Sequence, residues 1–208
     1  MCVAAETETN ITEERFMVHH QEHPTHHALH LENLGKSSGV TGPVNESWQV
    51  KLSDPATFVM TDFRERAFFK VTPDEQIDEV LNKMKHAGLR AAFVMDKQSD
   101  KLLGMITSYD IMGEKPLRYL QSAGFTDHKD ILVSDIMESL KEMVAVEVHD
   151  VEKSTVHSVL DVLQKCGRTH LPVVEKTAGE ELHLRGLFSA SRVLRLTEDS
   201  RRKAIKAK

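Results

Sequence analysis

Apolar and polar positions along this chain follow two rhythms, and each rhythm occurs twice. Ile77, Val80, Leu81, Met84 and Ala87 fall at i, i+3, i+4, i+7 and i+10 and are followed by Gly88, which predicts a helix with one buried face and a glycine stop. Val156, Val159, Leu160, Leu163 and Cys166, followed by Gly167, repeat the pattern 79 residues later, so Cys166 is expected on the buried face of a second helix. Each helix leads into a short apolar run, Ala91-Ala92-Phe93-Val94-Met95 and Leu171-Pro172-Val173-Val174, which reads as a strand. A polar turn then precedes a second strand that closes on a glycine and runs into a helix. The first copy is Leu102-Leu103-Gly104-Met105-Ile106-Thr107-Ser108-Tyr109-Asp110-Ile111-Met112, and the second is Leu184-Arg185-Gly186-Leu187-Phe188-Ser189-Ala190-Ser191-Arg192-Val193-Leu194.

Smaller signals fill in the unit. Trp48, Val50 and Leu52 alternate with polar residues as a short lead-in strand, and Arg66 to Val71 reads as another strand, ended by Thr72-Pro73-Asp74. Asp135-Ile136-Met137 echoes Val59-Met60-Thr61 ahead of the second copy. One unit is then strand, helix, strand, turn, strand, helix, about 60 residues, less than most independent domains. The fold class expected is α/β (α+β): two pseudo-symmetric βαββα units, each burying its apolar face against the other. The expected divisions are a mobile polar tail over 1–45, a first unit with its lead-in and connection over 46–130, a second unit over 131–197 and a basic tail over 198–208.

Composition narrows the chemistry. The chain has 208 residues and a formal charge of -5, which argues against general affinity for nucleic acid, and the basic C-terminal stretch reads as solvated. Without an apolar run near the roughly 18 residues needed to span a bilayer, or a secretory start, the expected location is the cytoplasm, away from membranes. Two cysteines, Cys2 and Cys166, make no disulfide framework. The N-terminal segment holds His19, His23, His26, His27 and His30 at spacings that share one helical face, where Zn²⁺ or Ni²⁺ would find imidazoles. Pro24 interrupts that face, so a polar tail with adventitious metal affinity competes with a metal-responsive element.

The duplicated unit ending in Gly-h-h-[Ser/Thr]-x-x-Asp-h, where h is apolar, resembles the tandem cystathionine-beta-synthase (CBS) domain family over residues 56–196, in its stand-alone bacterial form. The resemblance implies a regulatory, non-enzymatic module that binds AMP, ADP, ATP or S-adenosylmethionine between paired units, forms a homodimer and acts on a protein partner. No glycine-rich phosphate loop, G-x-S-x-G elbow or HExxH points to catalysis.

The motif residues admit two physical readings. Asp110 accepts hydrogen bonds only and could take both ribose hydroxyls, while Thr107 and the free N–H groups of a helix start favour phosphate. Thr107-x-x-Asp110 is equally a helix capping box. Gly104 allows close approach of backbone or ligand. In the second copy Ser189 survives, but Arg192 replaces the acid, so ribose cannot be held in the usual way and phosphate is the alternative. The resemblance also implies contacts from Arg90, Ala92, Phe93, Thr61 and Thr72 in the first copy and from His170, Leu171 and Pro172 in the second. Phe93 stands in place of the family's usual proline, where it either stacks on adenine or fills the pocket. A ligand-free dimeric scaffold and a metal-responsive protein remain as alternative functions.

Overall fold

The computed structural model describes residues 49–124, 127–177, 179 and 181–197. Trp48, the five histidines of the proposed metal face and both tails lie outside them. A 3₁₀ turn at Ala56–Val59 precedes β1 (Thr61–Asp62), β2 (Lys70–Val71), α1 (Ile77–Ala87), β3 (Ala91–Met95), β4 (Leu102–Thr107), α2 (Ser108–Met112) and α3 (Lys115–Ala123). After a second 3₁₀ turn, His128–Asp130, come α4 (Val133–Ile136), β5 (Glu138–Ser139), β6 (Val146–Glu147), α5 (Val148–Glu152), α6 (Val156–Lys165), β7 (His170–Lys176) and β8 (Leu182–Ser189). Residues 190–197 form a final described helix, α7. None of the described helices is long and apolar enough to cross a membrane.

The helix α1 forms where the apolar period places it. Asp78 and Glu79 sit in its first turn and Lys85 and His86 in its last, each sign matched to the nearer end of the helix dipole, and Gly88 ends it in the left-handed region at φ 66°. Its buried residues are Ile77, Val80 and Met84. The helix α6 buries Val156, Val159 and Leu163 at the same spacing. Cys166, expected on that face, is exposed. The helix has ended by then, and Cys166 is its C-cap, one turn beyond the last residue that reaches the sheet.

The strands make two four-stranded sheets, in the orders β2-β3-β4-β5 and β1-β8-β7-β6, so the fold is mixed α/β. In each, a central antiparallel hairpin (β3-β4 or β7-β8) is flanked by a parallel strand of its own copy, β2 or β6. The fourth strand is exchanged. The first copy's lead-in, β1, pairs with β8 at Thr61↔Leu187, and the second copy's lead-in, β5, pairs with β4 at Met105↔Glu138. Thr61 thus corresponds to Glu138, one residue further along than the sequence echo suggests. The lead-ins also bridge crosswise, Pro55 to Thr155 and Gln76 to Leu132, at the starts of α6 and α1.

This exchange unites the two halves. One core gathers Val156, Val159, Leu163, Leu171, Val173, Phe188 and Val193 around the first copy's Val50, Ala56 and Val59. The other gathers Ile77, Val80, Met84, Ala92, Val94 and Ile106 around the second copy's Ile131, Val133 and Ile136. Val50 and Leu52 serve the first of these cores without forming the expected strand: Val50 is buried, and its N–H donates to the Leu196 carbonyl at 3.2 Å. The strand expected over Arg66–Val71 shortens to Lys70–Val71, and the connection between copies contains α3.

Candidate functional site

The end of β4 turns directly into α2, and the turn is built as a closed capping box. Asp110 N–H donates to Thr107 Oγ1 at 3.3 Å, while Asp110 Oδ2 accepts from the Thr107 N–H at 2.8 Å and from its hydroxyl at 2.7 Å. The remaining oxygen, Oδ1, lies 2.7 Å from Lys115 Nζ, which also donates to the Ile136 carbonyl at 3.2 Å. The capping reading of Thr107-x-x-Asp110 is therefore what the structure contains. A ribose hydroxyl at Oδ1 would share that oxygen with Lys115 or replace it.

This turn opens onto a cavity of about 860 Å³. Thr107, Asp110, Lys115 and Arg118 line one side, and Gly167 to His170 of the second copy line the other. Arg168 spans the mouth: Nη1 bonds the Glu138 carboxylate, and Nη2 donates to the Glu142 carbonyl at 3.1 Å. Both signs of charge line it, four acids (Asp110, Asp135, Glu138 and Glu142) and three bases (Lys115, Arg118 and Arg168). Tyr119 donates its hydroxyl to Asp135, which holds the phenol's pKa above its ordinary value.

A second cavity, about 520 Å³, lies at the equivalent place in the pseudo-symmetric arrangement. Ser189 and Arg192 come from the end of β8 and α7, and Gly88 to Ala91, Phe93 and Thr61 come from the first copy. The side chains of Phe63, Phe68 and Phe93 meet in a cluster with ring centroids 5.2 to 5.7 Å apart, Phe93 edge-on to the other two. Both volumes fall in the range of small-molecule sites.

The structure regroups the candidate residues. Each cleft takes its motif from one copy and its strand entry from the other. Arg90, Phe93 and Thr61, expected beside Thr107 and Asp110, line the cleft of Ser189 and Arg192 instead. His170 lines both clefts, is 5 % exposed, and hydrogen-bonds Thr169 at 3.1 Å through Nδ1. Burial first, then the Arg90 charge, push its pKa down to about 4 against the opposing pull of Asp110.

The remaining candidates lie outside both clefts. Ala92 and Leu171 are core residues. Pro172 is buried opposite Leu187, and Thr72 binds Glu75 Oε1 through its N–H at 2.8 Å, closing the turn before α1. Gly104 answers to backbone, since a Cβ there would collide with the Glu138 carbonyl oxygen. Sequence reasoning missed Lys115, Arg118 and Arg168 in the first cleft and Arg66, Arg195 and Phe68 in the second. The only early signal was that Arg168 follows the helix-stopping Gly167 directly.

A duplicated α/β unit with exchanged lead-in strands and two clefts between the copies defines a paired-repeat module. Residues 59–116 match the family model of the CBS domain. Among solved structures it is similar to an uncharacterized conserved protein from Pyrococcus horikoshii, with 20 % identity, a TM-score of 0.50, and coverage of 73 % of this chain and 96 % of that one. A putative signal-transduction protein with CBS domains from Burkholderia ambifaria is 21 % identical over 62 % of this chain and 81 % of that one, with a TM-score of 0.46. CBSX2, a CBS-pair protein from Arabidopsis thaliana, has been crystallised in complex with AMP; that complex is 18 % identical over 72 % of this chain and 98 % of that one, with a TM-score of 0.46. No curated protein sequence matches the chain.

Proposed function

We propose that this chain is a regulatory module that binds an adenosyl ligand, AMP, ADP, ATP or S-adenosylmethionine, in the cleft of Thr107 and Asp110, and that binding changes how it engages a protein partner. The observation that carries this reading is Asp110 at the wall of an 860 Å³ cleft, 19 % exposed and opposite the Gly167 to His170 segment. A carboxylate there can accept from two ribose hydroxyls, with Lys115, Arg118 and Arg168 at hand for phosphate. Because Lys115 already holds Oδ1, ligand and lysine meet at one oxygen. That meeting gives the ligand-bound and ligand-free states different contacts, which a shift in conformational population requires.

The closed capping box supports a second reading, in which the fold is kept as a dimeric interaction scaffold without a ligand. Thermal unfolding of the full chain with each adenosyl ligand, for the wild type and Asp110→Ala, separates the two. A ligand at about 100 times its Kd adds roughly 2.7 kcal/mol to stability. The ligand reading expects that gain in the wild type and its loss in Asp110→Ala. A folded dimer that no adenosyl ligand stabilises overturns it in favour of the scaffold.

A further inference from the structure

A carboxylate offers about four acceptor positions on its two oxygens. On Asp110, Thr107 fills two of them, donating its N–H and its hydroxyl to Oδ2 at 2.8 and 2.7 Å, and Lys115 Nζ fills a third, 2.7 Å from Oδ1. One position is left, whereas the paired hydroxyls of a ribose need two. The first hydroxyl shares Oδ1 with the lysine; the second has to displace a donor. Thr107 closes the capping box of α2 and is buried, while the Lys115 side chain is 47 % exposed, so the lysine is the donor that leaves. We infer that Lys115 is a latch between the two copies, and that a ligand carrying an intact ribose diol opens it. The inference rests on the adenosyl reading of the first cleft and names the regulation of that site.

The local chain is shaped to place this lysine. Gly113 turns the chain between α2 and α3 where a Cβ would lie 2.6 Å from the Tyr109 carbonyl oxygen, and α3 begins at Lys115, within reach of Asp110. The second copy has no such turn. Arg195 and Thr197 stand at the places of Gly113 and Lys115, and the Thr197 hydroxyl donates back to the Val193 carbonyl of its own helix at 2.9 Å.

What the latch holds is the second copy's lead-in. Lys115 Nζ also donates to the Ile136 carbonyl at 3.2 Å, at the end of α4 and just ahead of β5. The same helix α3 reaches this segment again through Tyr119 and Asp135. Strand β5 pairs with β4 and carries Glu138, the partner of Arg168. Without the carboxylate, a half-exposed ammonium has little to keep it on one neutral carbonyl, so the Ile136 bond is lost with it. Ligand entry at Asp110 is thereby felt at the strand that the two copies exchange, and by reciprocity the closed latch weakens binding.

Isothermal titration calorimetry on the full chain tests this with adenosine and with 2′-deoxyadenosine, which keeps only one hydroxyl of the pair. Lys115→Met should tighten adenosine by about two- to fivefold, the range of a half-exposed ion pair, and leave 2′-deoxyadenosine unchanged. Lys115→Gln, a second neutral replacement, should do the same, covering the case in which Lys115→Met fails to fold. Lys83→Met, which removes a half-exposed lysine paired with Glu75 away from both clefts, should change neither. In hydrogen exchange, adenosine should speed the amides of residues 133–139 in the wild type, 2′-deoxyadenosine should not, and Lys115→Met should exchange them fast without ligand. Weaker adenosine binding in both Lys115 variants would make the lysine a ligand contact and overturn the latch, as would equal tightening of the two nucleosides or exchange at 133–139 that adenosine does not alter. Adenosine binding by neither the wild type nor a Lys115 variant would instead overturn the adenosyl reading, and the latch with it.

Discussion

Gly104 lies against the backbone of Glu138 so closely that a Cβ on it would collide with the Glu138 carbonyl oxygen, and Gly186 faces the Thr61 carbonyl oxygen in the same way, at 2.7 Å from an added Cβ. These are the two places where a lead-in strand of one copy joins the sheet of the other. The glycine of each repeated motif is therefore a requirement of strand exchange. Gly104→Ala and Gly186→Ala should each destabilise the protein by about 1–3 kcal/mol, the usual cost of overpacking against atoms that cannot move aside. Urea unfolding measures this, and an unchanged midpoint in both variants would contradict it.

Phe93 has two aromatic neighbours and is 2 % exposed, which fits a residue filling the space between units. Truncation to alanine removes a large buried side chain and leaves Phe63 and Phe68 without their edge-on partner. Phe93→Ala should cost about 3–5 kcal/mol in denaturant unfolding. A loss below about 1 kcal/mol would mean that the cluster collapses into the gap or that the ring is not buried in solution.

Much of the fold was legible because local patterns decide it. The helix α1 ends at the expected glycine, and β3 spans the expected five residues, since burial period, charge placement and turn residues all agree there. The helix α3 was missed because it sits in the connection between copies, where no repeat partner reinforced its pattern. The crossed make-up of the clefts was illegible for a different reason. Both copies share one local pattern, so nothing in it distinguishes β1 pairing with β4 from β1 pairing with β8. That choice belongs to tertiary packing. Asp110 was found as a site candidate through its motif, whereas Lys115, which holds it, lies five residues on in a different helix.

Arg168 joins the two sheets across the first cleft, since it comes from the entry to β7 while its partner Glu138 belongs to β5 in the other sheet. Both side chains are largely shielded, at 32 % and 13 % exposure, so solvent weakens the pair less than it would at an open surface. A double-mutant cycle with Arg168→Ala and Glu138→Gln should show a coupling of about 1 kcal/mol or more. Additive single effects within about 0.3 kcal/mol would show that the contact does not fasten the two sheets.

His170 connects the two clefts electrostatically, with Asp110 drawing its pKa up and Arg90 pushing it down while burial dominates. Its folded pKa of about 4 lies below the 6.5 expected of the free side chain, so below pH 6.5 the unfolded chain binds a proton that the folded one refuses. Stability from this group is fully present above pH 6.5 and is lost as pH falls toward about 4, by an amount on the order of 3 kcal/mol. Carboxylates also titrate over part of that range, so the informative quantity is the difference between the wild type and His170→Gln. Unfolding free energies at half-unit steps from pH 8 to pH 4 should show a constant offset above about pH 7, from altered packing, and a steeper decline for the wild type below pH 6.5. Parallel curves across the whole range would show that His170 keeps an ordinary pKa.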